Sequence, residues 1–167
     1  MHKMLYLYII ANYFLTIFCR IVKLHNSYCC VLCNMTKRHC LYTLSAYYHK
    51  SRVDFMDKKH PLFIGSCGTY HLYTVEKLPT HRPKGRLDYQ LLYIASGRAH
   101  FYFDGKPTVV EAGNMVLYRP REEQRYYYGA DQTEVYWVHF TGNNVKNFLR
   151  RYGIADDHPH YLYRYLH

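Results

Sequence analysis

The first 60 residues contain no glycine and no proline, and the first 53 contain no aspartate or glutamate. A folded segment of that length needs turns, which draw on Gly, Pro, Asp and Asn. Here only Asn is available. Valine and alanine are scarce too, at three and two in residues 1–53. Residues 1–55 therefore form an atypical apolar, Cys-rich leader, expected to be helical or unstructured and not native to the domain that follows. Normal composition resumes at Met56, the expected true start. The skew also explains the charge. Of the formal net charge of +10, the seven Lys and Arg of residues 1–53 stand unopposed. The rest holds fifteen basic and twelve acidic residues, only +3, with no basic run along one face. A nucleic-acid-contacting surface on the body is thereby excluded.

Two leader features are tested against function. Met4–Cys19 is an uncharged stretch of sixteen residues between Lys3 and Arg20. About 20 apolar residues are needed to cross a bilayer, so membrane association is not expected. A signal peptide is also disfavoured, because no small-residue cleavage site follows. Cys30 and Cys33 make a C-x-x-C pair, with His39 and Cys40 behind them. An adjacent His–Cys does not supply the second spaced half of a structural zinc site. No metal or cofactor is assigned.

From residue 60 the pattern becomes one of short strands. "RLDYQLLYIAS" (86–96) ends at Gly97, and "RAHFYF" (98–103) runs into a "DGK" hairpin turn. "PTVVE" (107–111), "NMVLY" (114–118), "QRYYY" (124–128) and "EVYWVHF" (134–140) follow, each bounded by turn residues. Turn signals every eight to twelve residues argue for an antiparallel barrel or sandwich rather than βαβ units. No Rossmann or P-loop glycine pattern is present. "NNVKNFLRRYG" (143–153) then switches to helical period, with Val145, Phe148, Leu149 and Tyr152 on one face. Asn143 or Asn144 and Gly153 stand at its ends as caps.

The segments "HRPKGRLDYQLLYIASGRAHFYFDG", "EAGNMVLYRPREEQRYYY" and "EVYWVHFTG" together resemble the N-terminal ligand-binding and dimerisation domain of AraC-type transcription regulators. The likeness runs from about Ile64 through Gly142. It implies a mainly β fold, a cupin-like jelly roll of short antiparallel strands followed by an amphipathic helix. The barrel would occupy 56–142, with 143–167 starting the dimerisation and linker region, where Val145, Phe148, Leu149 and Tyr152 are the residues offered for dimerisation. It further implies a bacterial cytoplasmic protein that senses a small molecule, pairs as a homodimer, and touches DNA only through helix-turn-helix units, which this chain ends before reaching.

Three positions match the family's sugar pocket: Arg82 in "RP-x-G", Tyr126 six residues after Pro120, and Trp137. The family's pocket histidine, two residues before that tryptophan, is Val135 here, which leaves the sugar open. The chemistry suits the task. An indole plane covers the apolar face of a pyranose, and a guanidinium fork matches its hydroxyl rim. Alternation along a barrel strand puts Trp137, Val135 and His139 on one side, and Tyr136 and Val138 on the other. His139 is a further pocket candidate, with Tyr89 and Gln90 weaker ones. Tyr70 and His71, in the segment Asp57–Leu78, are expected to act as a lid whose position responds to ligand.

Other roles compete. Trp137 could be a core anchor, Arg82 a solvated loop residue, Tyr126 one of 21 tyrosines, and the helix face packing for its own barrel. Two alternative functions are a metal-dependent cupin enzyme and a dimerisation module with a decayed pocket. For the enzyme, the first strand offers Asp88 and Gln90 where metal cupins place His-x-His, and Gln124 stands where the later histidine would fall. The His158–His160 pair lies in the tail, and His100, Glu111 and His139 have no common spacing. No nucleophile triad stands out, so an enzyme is not expected.

Overall fold

Antiparallel pairing accounts for nearly all of the architecture in the computed structural model, which describes residues 44–50, 52–73, 76–129, 132–151, 154 and 161–164, the first and last of these stretches as backbone. In chain order come β1 (Leu44–Lys50), β2 (Phe63–Leu72), β3 (Lys77–Arg82), β4 (Tyr89–Ser96), β5 (Arg98–Phe103), β6 (Lys106–Glu111), β7 (Asn114–Tyr118), β8 (Gln124–Gly129) and β9 (Glu134–Thr141), then helix α1 (Val145–Arg151) and β10 (Tyr161–Arg164). A six-stranded sheet runs β1-β2-β9-β4-β7-β10, and a four-stranded sheet runs β3-β8-β5-β6. From β2 onward the chain passes back and forth between the two, so each sheet supplies one wall of a roll. The fold is mainly β, as the strand pattern implied, and cupin-like, as the resemblance implied.

Local chemistry explains the elements. Asp104 and Gly105 both have positive φ (50° and 74°), the pairing a two-residue hairpin turn demands, so β5 and β6 close directly on one another. Pro79 and Pro107 sit in β3 and β6, the two edges of the small sheet, where a missing N–H costs no ladder bond. Leu72, Leu92, Ile94, Phe101, Val116 and Tyr118 fill the space between the sheets. The intervening residues Tyr89, Leu117 and Phe140 point to the far side of the large sheet, where they meet Val145 and Leu149. The helix therefore covers its own barrel. Arg150 and Arg151 occupy its last turn, favourable to its dipole.

Three expectations need correction. The leader was read as helical or unstructured throughout, yet Leu44–Lys50 is a strand whose seven residues pair antiparallel with β2, Leu44 opposite Leu72 and Lys50 opposite Ser66. Its aromatic "LSAYYHK", charged only at Lys50, suits a pleated edge, a property masked by the composition of what precedes it. Second, Asp57–Leu78 is not a detached lid. β2 lies inside the large sheet between β1 and β9, with Phe63 opposite Thr141 and His71 opposite Glu134. The residues before it are fastened as well. Asp57 N donates to Thr141 Oγ1 (3.1 Å), Asn143 N to the His60 carbonyl (2.9 Å) and Asn144 N to that of Pro61 (3.1 Å). Third, Val145 and Leu149, assigned to dimerisation, are 1% and 7% exposed within the single chain, and Phe148 is half-buried.

Among the described residues no helix is long and apolar enough to cross a membrane. The apolar run Met4–Cys19, the Cys30, Cys33, His39 and Cys40 group, Tyr152, Gly153 and the His158–His160 pair lie outside the described residues.

Candidate functional site

Two turns meet at one end of the roll and fix the site. In the β3–β4 connection, Gly85 has φ +61°, and a Cβ there would run into the Glu122 carbonyl oxygen. Only glycine lets this turn lie flush on the β7–β8 turn. Arg121 N reaches the Arg86 carbonyl at 2.6 Å, tying the same two turns together. The "RP-x-G" motif thus has a packing reason. It sets Arg82, the last residue of β3, opposite Gln124, the first of β8. Arg82 Nη1 donates to Gln124 Oε1 at 2.7 Å. A guanidinium only donates, so the amide oxygen must face it, and the amide NH₂ turns the other way.

Register places the remaining groups. Across the inner face of the large sheet, Ser66, His139, Gln90 and Tyr118 form one row, and Gly68, Trp137, Leu92 and Val116 form the next. Tyr70, Val135 and Ile94 form the third. On the facing wall, Thr80, Tyr126 and Phe101 align. Gln90 Nε2 donates to Tyr126 Oη at 3.2 Å, joining the two sheets. Trp137 is half-buried, lies across the bare backbone of Gly68, and has the Tyr70 ring beside it (centroids 6.1 Å apart, 28° between planes).

Beside this row runs a buried ion pair. Arg86 Nε and Nη2 donate to the two oxygens of Asp88 at 2.7 and 2.9 Å, with the residues 8% and 1% exposed. Burial pushes the Asp88 carboxyl up, but the Arg86 fork and the neighbouring His139 outweigh it and hold the group at about 2. His139 Nδ1 is 3.4 Å from Asp88 Oδ1, close enough to feel the charge but not aligned as a hydrogen bond. Burial pushes His139 down. The Asp88 contact opposes this, while the charges of Arg86 and Arg82 reinforce it. The imidazole is therefore neutral at pH 7, and Arg82 on the small sheet acts on His139 on the large one.

Three buried polar atoms here have no partner within the protein: Gln90 Oε1, Gln124 Nε2 and Trp137 Nε1. Each such atom costs about 1–3 kcal/mol, and they are rare in native folds. Their concentration between Arg82 and Trp137 marks a place built to hydrogen-bond something else. The donors are an amide NH₂, an indole N–H and the rest of the guanidinium, and the acceptor is an amide oxygen.

Of the residues expected in a pocket, Arg82, Tyr126, Trp137 and His139 come together here, and Tyr70 flanks them on the same face. His71 does not. It alternates with Tyr70 along β2, faces the opposite side of the sheet, and stacks on Tyr73 with centroids 4.3 Å apart. The sequence reading missed Gln124 as a site residue and the Arg86–Asp88 pair altogether. A signal existed: Gln124 and Gln90 each stand at an inward position of an apolar strand. The potential metal ligands scatter. His100 lies on the outer face of the small sheet against Tyr127 (4.5 Å), Glu111 is exposed, and His139 points inward. Among the described residues no three His, Cys, Asp or Glu are grouped to hold a metal ion.

Several solved structures match the chain at low identity. YhaK from Escherichia coli matches at 12% identity with a TM-score of 0.47, over 72% of this chain and 51% of that one. Apo ToxT from Vibrio cholerae matches at 16% identity and 0.44, over 65% and 43%. The cupin domain of an XRE family transcriptional regulator from Enterobacter cloacae matches at 8% and 0.41, over 59% and 96%. The chain spans about half the length of the first of these and less of the second. No curated protein matches significantly. The AraC-like ligand binding domain profile, however, covers residues 66–164, which take in β2 almost whole and every strand after it. The chain belongs to the AraC-like ligand-binding domain family, as a ligand-sensing regulatory domain.

Proposed function

We propose that this is the effector-sensing domain of a bacterial, cytoplasmic AraC-type transcription regulator, and that its effector is a sugar or sugar-like polyhydroxy molecule. The observation that carries the reading is the set of unpartnered buried polar atoms on Gln90, Gln124 and Trp137, with Arg82 above them and the indole beside them. A pyranose offers both counterparts, hydroxyls for the amides and guanidinium and a C–H face for the ring. In the longer regulator the domain works as a homodimer, so that paired helix-turn-helix units read paired half-sites. Ligand acts through the groups it reaches in the bound arrangement, and shifts the regulator by no more than its differential affinity for two states.

Because Trp137 is the only tryptophan, its fluorescence reports the site without background. Titration with a panel of pentoses, hexoses and their derivatives is expected to shift or quench the emission saturably. Gln124→Leu, which removes the inward amide, is expected to weaken binding by about tenfold or more. A panel without any response would leave the decayed-pocket module as the better account.

A further inference from the structure

We infer that the effector is a singly charged anion, a sugar acid read through its carboxylate by Arg82, rather than a neutral sugar. This rests on the site proposed above and adds the charge of its ligand. The argument is one of charge pairing around the mouth of the roll. Arg86 is matched by Asp88, both buried, through two short hydrogen bonds. On the adjoining turn Glu122 holds Arg119 at 3.4 Å, and Glu123 faces His81 at 3.1 Å. His139, the remaining titratable group facing inward, is neutral. Lys84 and Arg121, on the same two turns, are solvent-exposed; of the buried and half-buried cations here, Arg82 alone has no carboxylate partner. Among the described residues its partner is the neutral amide of Gln124, with no carboxylate within ion-pair distance.

A half-buried guanidinium whose partner is a neutral amide, beside other neutral hydrogen-bonding groups, is an unbalanced charge that an anion would balance. The fork of remaining N–H groups matches two carboxylate oxygens, and such charge-assisted pairs are roughly twice as strong as neutral ones. One unmatched half-buried positive charge favours a monoanion. A phosphate dianion would bring a second charge that no other buried or half-buried cation is free to meet. The neutral donors and acceptor on Gln124, Trp137 and Gln90 then take the hydroxyls.

The test compares matched pairs on the full chain, D-galacturonate with D-galactose and D-glucuronate with D-glucose, by Trp137 fluorescence and by calorimetry. The acid of at least one pair is expected to bind about tenfold or more tightly than its neutral partner. The preference is expected to shrink with added salt, to survive in part in Arg82→Lys, and to vanish in Arg82→Gln, each variant checked for the wild-type circular dichroism spectrum. Equal affinity within both pairs, or a preference for the acid that Arg82→Gln leaves intact, overturns the inference while leaving the sugar-sensing reading standing. Absence of binding by all four compounds overturns the inference and counts against that reading too.

Discussion

Replacing Asp88 by asparagine tests the energetic centre of the molecule. The side chain keeps its shape and loses its charge, which leaves the Arg86 guanidinium buried without a counterion. The carboxyl, held at about 2 against an ordinary 3.8, reports roughly 2 kcal/mol of stabilisation after allowance for screening at the barrel mouth. Removing one partner of a buried pair costs about 3–5 kcal/mol, since the stranded charge must also be desolvated. Asp88→Asn is therefore expected to cost about 3 kcal/mol and to lower Tm by roughly 10 °C for a domain of this size. Because the folded carboxyl titrates below its ordinary value, this stability is present above pH 4 and lost as pH falls towards 2. Wild type and variant should converge there. Thermal melts by circular dichroism at pH 7 and across that window measure both effects. Arg86→Met with Asp88→Leu, which removes both charges, should recover most of the loss. A variant melting within 2 °C of wild type, or a double variant no better than the single, would refute the assignment of a buried, mutually dependent pair.

Two further outcomes follow from the same geometry. His139 is buried with its pKa lowered, so the unfolded chain takes up the proton first as pH drops below about 6.5. Stability should fall from pH 7 to 5.5, and His139→Gln should flatten that slope in melts over the same range. Leu149 lies in the chain's own second core, so Leu149→Ala should cost about 2–4 kcal/mol in denaturant melts and leave the sedimentation coefficient of the folded protein unchanged.

The strands from 98 onward were legible because their turns carry unmistakable chemistry. β5 and β7 fall where read, as Arg98–Phe103 and Asn114–Tyr118, with Asp104–Gly105 and Gly113 between elements. β4 begins at Tyr89 rather than Arg86, because 86–88 is spent on the ion pair that seals the turn. β2 was missed for a physical reason. "FIGSCGTYHL" carries two glycines and few branched residues, so its intrinsic preference for a strand is poor. Its pairing is secured by context. Gly65 lies at an irregularity in the ladder, where a Cβ would meet the Arg52 carbonyl oxygen at 2.7 Å, and Gly68 faces the indole. Local propensity says little about a strand held between two neighbours. The site was partly legible: alternation put Val135, Trp137 and His139 on one face, as observed. It could not show which inward polar groups find partners across the roll, since Gln124 with Arg82 and Gln90 with Tyr126 depend on how two sheets face each other.

That dependence bears on the single tryptophan. A tryptophan that only fills a core is normally enclosed, and its N–H finds an acceptor. Trp137 meets neither condition. It is half-buried, its Nε1 has no partner in the protein, and the residue opposite it on β2 is the one amino acid with no side chain to cover it. On the facing wall, Arg82 and Gln124 are likewise turned towards the interior by a turn that tolerates only glycine at position 85. Fold stability alone would favour apolar side chains at these positions, because every unpaired polar atom there weakens the native state. Two independent backbone devices, Gly68 in β2 and Gly85 in the β3–β4 turn, instead accompany the polar groups on the two walls. A packing role for the indole explains Val135 and Leu92 beside it; a hydrogen-bonding ligand would in addition engage its N–H and the Gln124 amide.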